Sequence, residues 1–158
     1  IHFWILLMSR AALMSALIPL LMATGLSLAG TPARAVDLTL EVEGLDVNAV
    51  GKSSLMIGVF NAAGDWLRKP VTGQQVALGD DARSGRQRVV LKNLPKGAVA
   101  LSVYQDVNAN GKLDQGQMGI PLEPYGFTND AVGNFGPPTF EQCAIEPKAG
   151  QVVRIRLH

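Results

Sequence analysis

The chain of 158 residues carries 14 basic and 13 acidic side chains, so its formal net charge is only +1 at pH 7. A near-neutral chain without a run of lysine or arginine gives no electrostatic basis for binding nucleic acid or an anionic membrane. Cys143 is the single cysteine, which excludes an intrachain disulfide, and its flanks, FEQCAIEP, are interpreted as a strand in which it is a small buried core residue.

The first 35 residues are typical of a cleavable export leader. They hold a long apolar stretch over residues 11–29, two arginines and no acidic residue. The stretch is followed by Ala33-Arg34-Ala35, a small-x-small pattern of the kind that signal peptidase reads. We therefore predict a start at Met8, cleavage after Ala35, a periplasmic or secreted location and no stable membrane insertion after cleavage. The alternative is an uncleaved anchor, because about 18 apolar residues nearly span a bilayer.

Residues 36–158 are predicted to form a single domain of short strands. The segment Val36–Glu43 alternates apolar and polar residues, which is the period of a strand with one buried face. Turn-forming residues separate it from further segments with strand character. These cover residues 53–60, 87–94, 98–105, 139–146 and 151–158, with 74–78 as a candidate seventh strand. Because no segment sustains a helical period, the pattern predicts an all-β fold. We expect an antiparallel β-sandwich of about seven strands, immunoglobulin-like or transthyretin-like in outline.

A long loop over residues 115–138 interrupts this pattern. It is rich in glycine and proline and contains the aromatic residues Tyr125, Phe127 and Phe135. Loops of this length inside a compact domain are usually functional or packed on themselves. The three rings are therefore either a candidate ligand surface or part of the core. We predict that Phe127 and Phe135 lie mainly in the core and that Tyr125 is more exposed at the rim.

The stretch QDVNANGKLD, which precedes this loop, spaces its oxygen ligands as a calcium loop does. Asp106 would be position one, Gly111 would make the sharp turn, and Asp114 would be position nine. The twelfth position is Gln117, which cannot close an EF-hand site, and a strand precedes the stretch. The predicted ligands are the side chains of Asp106, Asn108, Asn110, Asp114 and Glu123 and the carbonyl of Lys112. We predict weak calcium binding, with Kd about 10⁻⁴ to 10⁻³ M; the alternative is a metal-free turn capped by its own side chains.

The segment YQDVNANGKLDQGQMGIPLEPYGFTNDAVGNFGPPTFEQC resembles the signature of the bacterial family named domain of unknown function 2141. In that signature an Asp-x-Asn-x-Asn-Gly-Lys-Leu-Asp run precedes Gly-Ile-Pro, a Glu, Tyr-Gly-Phe-Ser/Thr-Asn and Gly-Pro-Pro-x-Phe. The match runs from Tyr104 to Phe140. The resemblance implies a small exported β-sandwich domain over residues 36–158, and it implies no activity.

Few residues in the predicted domain could take part in catalysis. His158 is the only histidine in residues 36–158, which disfavours Ser-His, Cys-His and multi-histidine sites. We therefore predict a non-catalytic exported module, stabilised by calcium, whose long loop binds a ligand or an envelope partner, either a protein or a glycan. The alternative is a glycan hydrolase that uses two carboxylates drawn from Asp106, Asp114 and Glu123.

Overall fold

The computed structural model describes residues 35–158, so the predicted start and the apolar stretch of the leader lie outside the described residues. Within the described part, no helix combines the length and the apolar character needed to cross a membrane.

Seven strands in residues 35–158 form two sheets, which confirms the predicted sandwich. The first sheet has the order β4-β1-β7 and the second has the order β3-β2-β5-β6. Neighbouring strands are antiparallel except for β1 and β7, which are parallel. The strands are β1 (Val36–Glu43), β2 (Ser54–Phe60), β3 (Thr72–Ala77), β4 (Arg86–Leu94), β5 (Ala100–Asp106), β6 (Tyr125–Phe127) and β7 (Val152–Arg156).

The main core is built from the alternating apolar residues of the strands. In β1, Leu38, Leu40 and Val42 are buried, while Glu41 and Glu43 lie on the opposite face. Successive side chains of a strand point to opposite faces, so each strand contributes alternate residues to one core. Full burial of such a side chain contributes about 1.5–3 kcal/mol to stability.

A second, smaller apolar cluster forms around Phe127. Ala100 and Leu101 are neighbours in β5 but belong to different clusters, because their side chains point to opposite faces of the sheet. The Trp66 ring lies 5.8 Å from the Phe127 ring, and the Phe140 ring lies 6.1 Å from Trp66. This cluster joins the middle of the long loop, at Tyr125, Phe127 and Ala131, and the segment that follows the loop to the four-stranded sheet.

The strand predicted over residues 139–146 is wrong, because this segment begins with a short helix, α1 (Phe140–Cys143). Thr139 caps the helix: its Oγ1 accepts from the Gln142 N–H at 3.4 Å, and the Gln142 side chain accepts from the Thr139 N–H at 2.8 Å. This reciprocal capping box fixes the helix start. Only Ile145 pairs in strand fashion, with Val99.

Cys143 is buried, as predicted, although it lies in α1 rather than in a strand. Desolvation raises the pKa of its thiol to about 11. Since the thiolate is the nucleophilic form, a raised pKa keeps this cysteine unreactive near neutral pH.

The sequence analysis did not predict the short strand β6. Gly126 lies at the centre of this strand, at a position with no room for a side chain. A Cβ atom on Gly126 would lie 2.6 Å from the Arg156 carbonyl oxygen and 2.8 Å from the Ile155 side chain. The strand therefore passes against β7 with no room for a larger residue. Beside it, Tyr125 and His158 exchange two backbone hydrogen bonds of 3.3 and 2.9 Å.

Candidate functional site

The connection between β5 and β6 begins with a tight turn that Asp106 organises. Asp106 is fully buried at the end of β5. Its two carboxylate oxygens accept from the Asn110 N–H at 3.0 Å and the Gly111 N–H at 2.7 Å. Gly111 has φ 76°, a left-handed conformation that glycine adopts without strain. Asp106 therefore holds the chain reversal that the sequence placed at Gly111.

The polar side chains of this turn converge on Asp114. The amide nitrogen of Asn108 donates to Asp114 at 2.6 Å, and that of Asn110 donates to both Asp114 oxygens at 3.0 and 3.1 Å. The amide oxygen of Asn110 accepts from the Lys112 N–H at 2.8 Å. The structure thus brings together Asn108, Asn110 and Asp114, three of the predicted calcium ligands.

Glu123 joins the start of the turn to its end. It is 7% exposed, and its two carboxylate oxygens accept from the Val107 N–H at 2.7 Å and the Asp114 N–H at 3.0 Å. A carboxylate from further along the chain does reach the loop, as the sequence suggested. It contacts the loop backbone at two points and so acts as a clamp.

The donor chemistry of this loop suits a hard cation, because calcium prefers carboxylate and amide oxygens. In the structure, however, the carboxylate oxygens of Asp106 and Glu123 each accept a backbone N–H, as the alternative of a self-capped turn requires. Among residues 35–158, no group of three or more His, Cys, Asp or Glu side chains is arranged to hold a metal ion. Calcium binding by this loop stays a prediction.

The same contacts bear on the glycan hydrolase alternative. Asp106 and Glu123 are buried, and their carboxylates are committed to the loop backbone. Only Asp114, among the three acids named for that chemistry, is partly exposed. The structure therefore gives these carboxylates a role in holding the loop.

The loop next forms a small apolar hairpin over residues 114–122. Its arms are joined by hydrogen bonds from the Leu122 N–H to the Asp114 carbonyl and from the Gly116 N–H to the Ile120 carbonyl, both 2.8 Å. Met118 at the tip is 96% exposed, and Ile120 and Leu122 are 61% and 71% exposed. Sequence reasoning missed these residues; their alternation beside glycines was the available signal.

A second turn, over residues 128–138, is anchored at both ends. The buried Thr128 hydroxyl accepts from the Leu101 N–H at 3.0 Å, and the Trp66 Nε1–H donates to the Pro138 carbonyl at 2.8 Å. Between these anchors the chain turns so tightly that a Cβ atom on Gly133 would overlap the Gly136 carbonyl oxygen.

Phe135 lies in this second turn and is fully exposed, so its predicted burial is wrong. The Phe135 backbone has φ 58°, which is unusual for a bulky residue. The chain also turns tightly at Gly133, and in this conformation the Phe135 ring has no contact with the core. The prediction for Phe127 is confirmed, since that ring is buried and is not part of the surface. Tyr125 is partly buried, with its ring centroid 5.8 Å from that of Phe127; it is more exposed than Phe127, as predicted, but less exposed than Phe135, so that part of the prediction is wrong.

A family model described as "Uncharacterized protein conserved in bacteria (DUF2141)" matches residues 41–155. The matched span includes most of both sheets, the tight turn that Asp106 organises, the apolar hairpin and the second turn. No curated protein and no solved structure matches the chain.

Proposed function

The chain belongs to the DUF2141 family of uncharacterized bacterial proteins, and from this premise we propose that it is a non-catalytic, exported binding module. Its contact residues are Met118, Ile120 and Leu122 of the apolar hairpin, and the exposed Phe135 ring of the second turn is a second candidate contact. Its partner is an envelope protein. The leader-like N-terminal sequence supports the exported location.

The observation that carries this proposal is an ordered hairpin that turns its apolar side chains outward. A contiguous exposed apolar surface on a folded domain often marks an interaction site, and Met118, Ile120 and Leu122 alternate along one small hairpin. Met118 at the hairpin tip has φ 62° and Phe135 has φ 58°, and both are non-glycine residues in the left-handed region. Such backbone strain persists only where the surroundings impose it, and it concentrates at functional sites.

The chemistry of the exposed residues favours a protein over a glycan. The hairpin presents one thioether and two aliphatic side chains, whereas sugar binding through stacking requires aromatic faces. Methionine is adaptable and is used at surfaces that accommodate a partner. Phe135 adds one aromatic anchor of the kind found at the centre of protein interfaces.

Photo-crosslinking in the producing cell tests this proposal. A photoreactive amino acid at Met118 or Phe135 is expected to give a discrete adduct with an envelope protein, because these side chains would lie in the interface. The same group at Gln75, an exposed position on β3, is the matched control. Excess wild-type protein should suppress the adduct, and the variant Met118→Ser/Phe135→Ser should not. Equal labelling at Gln75 and at both test positions would refute the proposal.

We also propose that calcium stabilises the turn around Asp106. A ligand that binds only the folded state at ten times its Kd raises stability by about 1.4 kcal/mol. For a domain of this size the melting temperature should rise by about 3–8 °C in about 10 mM calcium. Asp114→Asn, which keeps the side-chain size and removes the charge, should abolish the rise, whereas the exposed control Glu146→Gln should retain it. Identical melting in calcium and in chelator would establish the metal-free turn.

A further inference from the structure

The outer face of the three-stranded sheet carries an ordered array of charges. The strand register places Arg88 of β4 and Arg154 of β7 on either side of Glu41, and Arg86 and Arg156 on either side of Glu43. We call these rows the first level (Arg88, Glu41, Arg154) and the second level (Arg86, Glu43, Arg156). Together they line a shallow groove of about 770 Å³.

Each level contains two arginines that share one carboxylate. Glu41 pairs with Arg88 and, at 2.9 Å, with Arg154; Glu43 lies 3.5 Å from Arg86 and 3.8 Å from Arg156. The hydrogen bond from Arg88, and then that from Arg154, holds the pKa of Glu41 below its ordinary value, so this glutamate stays ionised. Each level therefore has a net charge of +1.

The four arginines have N–H donors that Glu41 and Glu43 do not occupy. Their side chains are 65–72% exposed, whereas the two glutamates are 21% and 25% exposed. A guanidinium has five N–H donors, and a shared carboxylate occupies only some of them. The remaining donors face solvent above the groove. Asp81 also lines the groove, where its carboxylate accepts from the Gln87 amide at 3.2 Å, so that the four arginines and three carboxylates of the lining give the groove as a whole a formal net charge of +1.

The spacing of the two levels identifies the partner that fits. Glu41 and Glu43 are two residues apart in one strand, so the levels are about 6.6–6.8 Å apart. Alternate side chains of any extended peptide have this same spacing. We propose that the groove binds an extended acidic peptide segment whose carboxylates at positions i and i+2 each neutralise one level.

Fluorescence anisotropy with a labelled peptide of alternating Glu and Thr tests the proposal on the purified protein. We expect saturable binding that weakens as salt rises from about 50 to about 500 mM, because exposed ion pairs are screened. A peptide of the same composition that repeats Glu-Glu-Thr-Thr should bind more weakly, because no two of its glutamates are two residues apart and it cannot place one carboxylate on each level.

The variant Arg154→Gln/Arg156→Gln should weaken binding about ten-fold, because it removes one charged, hydrogen-bonding arginine from each level. Arg154→Lys/Arg156→Lys should have an intermediate effect, since lysine keeps the charge without the planar fork. Arg68→Gln/Lys69→Gln, which removes two positive charges at exposed positions outside the groove, is the matched control and should leave binding unchanged.

Three outcomes would overturn the proposal. The first is no saturable binding at low salt, and the second is equal affinity for the alternating peptide and the Glu-Glu-Thr-Thr peptide. The third is tighter, arginine-dependent binding of an anionic polysaccharide or of anionic lipid vesicles, which would assign the groove to that other class of partner.

Discussion

Replacement of Phe127 by alanine is expected to lower the free energy of unfolding by about 3–5 kcal/mol. The ring is 7% exposed and packs against Trp66 and Tyr125, with ring centroids 5.8 Å apart in both pairs. Its removal would leave a cavity in the smaller apolar cluster. Urea denaturation of the variant measures the loss, which is a large part of the total stability of a typical domain.

Phe135→Ala is the matched control for this prediction, because it removes the same ring from the same loop. Phe135 is fully exposed, so its loss should change the free energy of unfolding by no more than about 0.5 kcal/mol. A loss at Phe135 that equals or exceeds the loss at Phe127 would contradict the division of the loop into a buried part and an exposed part.

Replacement of Glu123 by alanine should lower the free energy of unfolding by about 2–4 kcal/mol. The change leaves the partly buried backbone N–H groups of Val107 and Asp114 without their acceptor, and each donor that stays unsatisfied costs about 1–3 kcal/mol. Glu123→Gln retains one acceptor oxygen and should cost about half as much.

Glu146→Ala, at an exposed position, controls for the simple loss of a carboxylate. Chemical denaturation should place Glu123→Ala well below this control in stability. If the two variants unfold within about 0.5 kcal/mol of each other, Glu123 does not clamp the loop.

Most of the sandwich could be predicted from its alternation of apolar and polar residues. The predicted first strand coincides with β1, because one of its faces is buried and the other is charged. The segment after Thr139 misled the same reasoning, because it is short and bounded by prolines as a strand often is, although its residues do not alternate in the strand period. The Thr139–Gln142 capping box was the local signal for a helix.

The position of the long loop and the tight turn before it could be predicted from the sequence, but the exposure of the loop side chains could not. The spacing of Asp106, Gly111 and Asp114 indicated a tight turn, and the structure has one. The exposure of Phe135 depends on a backbone angle and on a close approach at Gly133, neither of which a hydrophobic pattern encodes. A Phe between glycines fits a core and a surface equally well.

The groove on the outer face of the three-stranded sheet could not be predicted from the sequence, because its residues are far apart along the chain. Glu41 and Glu43 are far from Arg86 and Arg154 along the chain, and only the strand order β4-β1-β7 places them side by side. Strand order follows from long-range packing and not from local periodicity.

The most direct test of the central claim, that the exposed apolar residues serve binding and not folding, is an affinity measurement. The protein captured by crosslinking at Met118 is titrated with the wild type and with Met118→Ser/Phe135→Ser. We predict binding at least about ten-fold weaker for the variant, which corresponds to about 1.4 kcal/mol, with an unchanged unfolding midpoint. Equal affinity for the two proteins would contradict the proposed interaction surface.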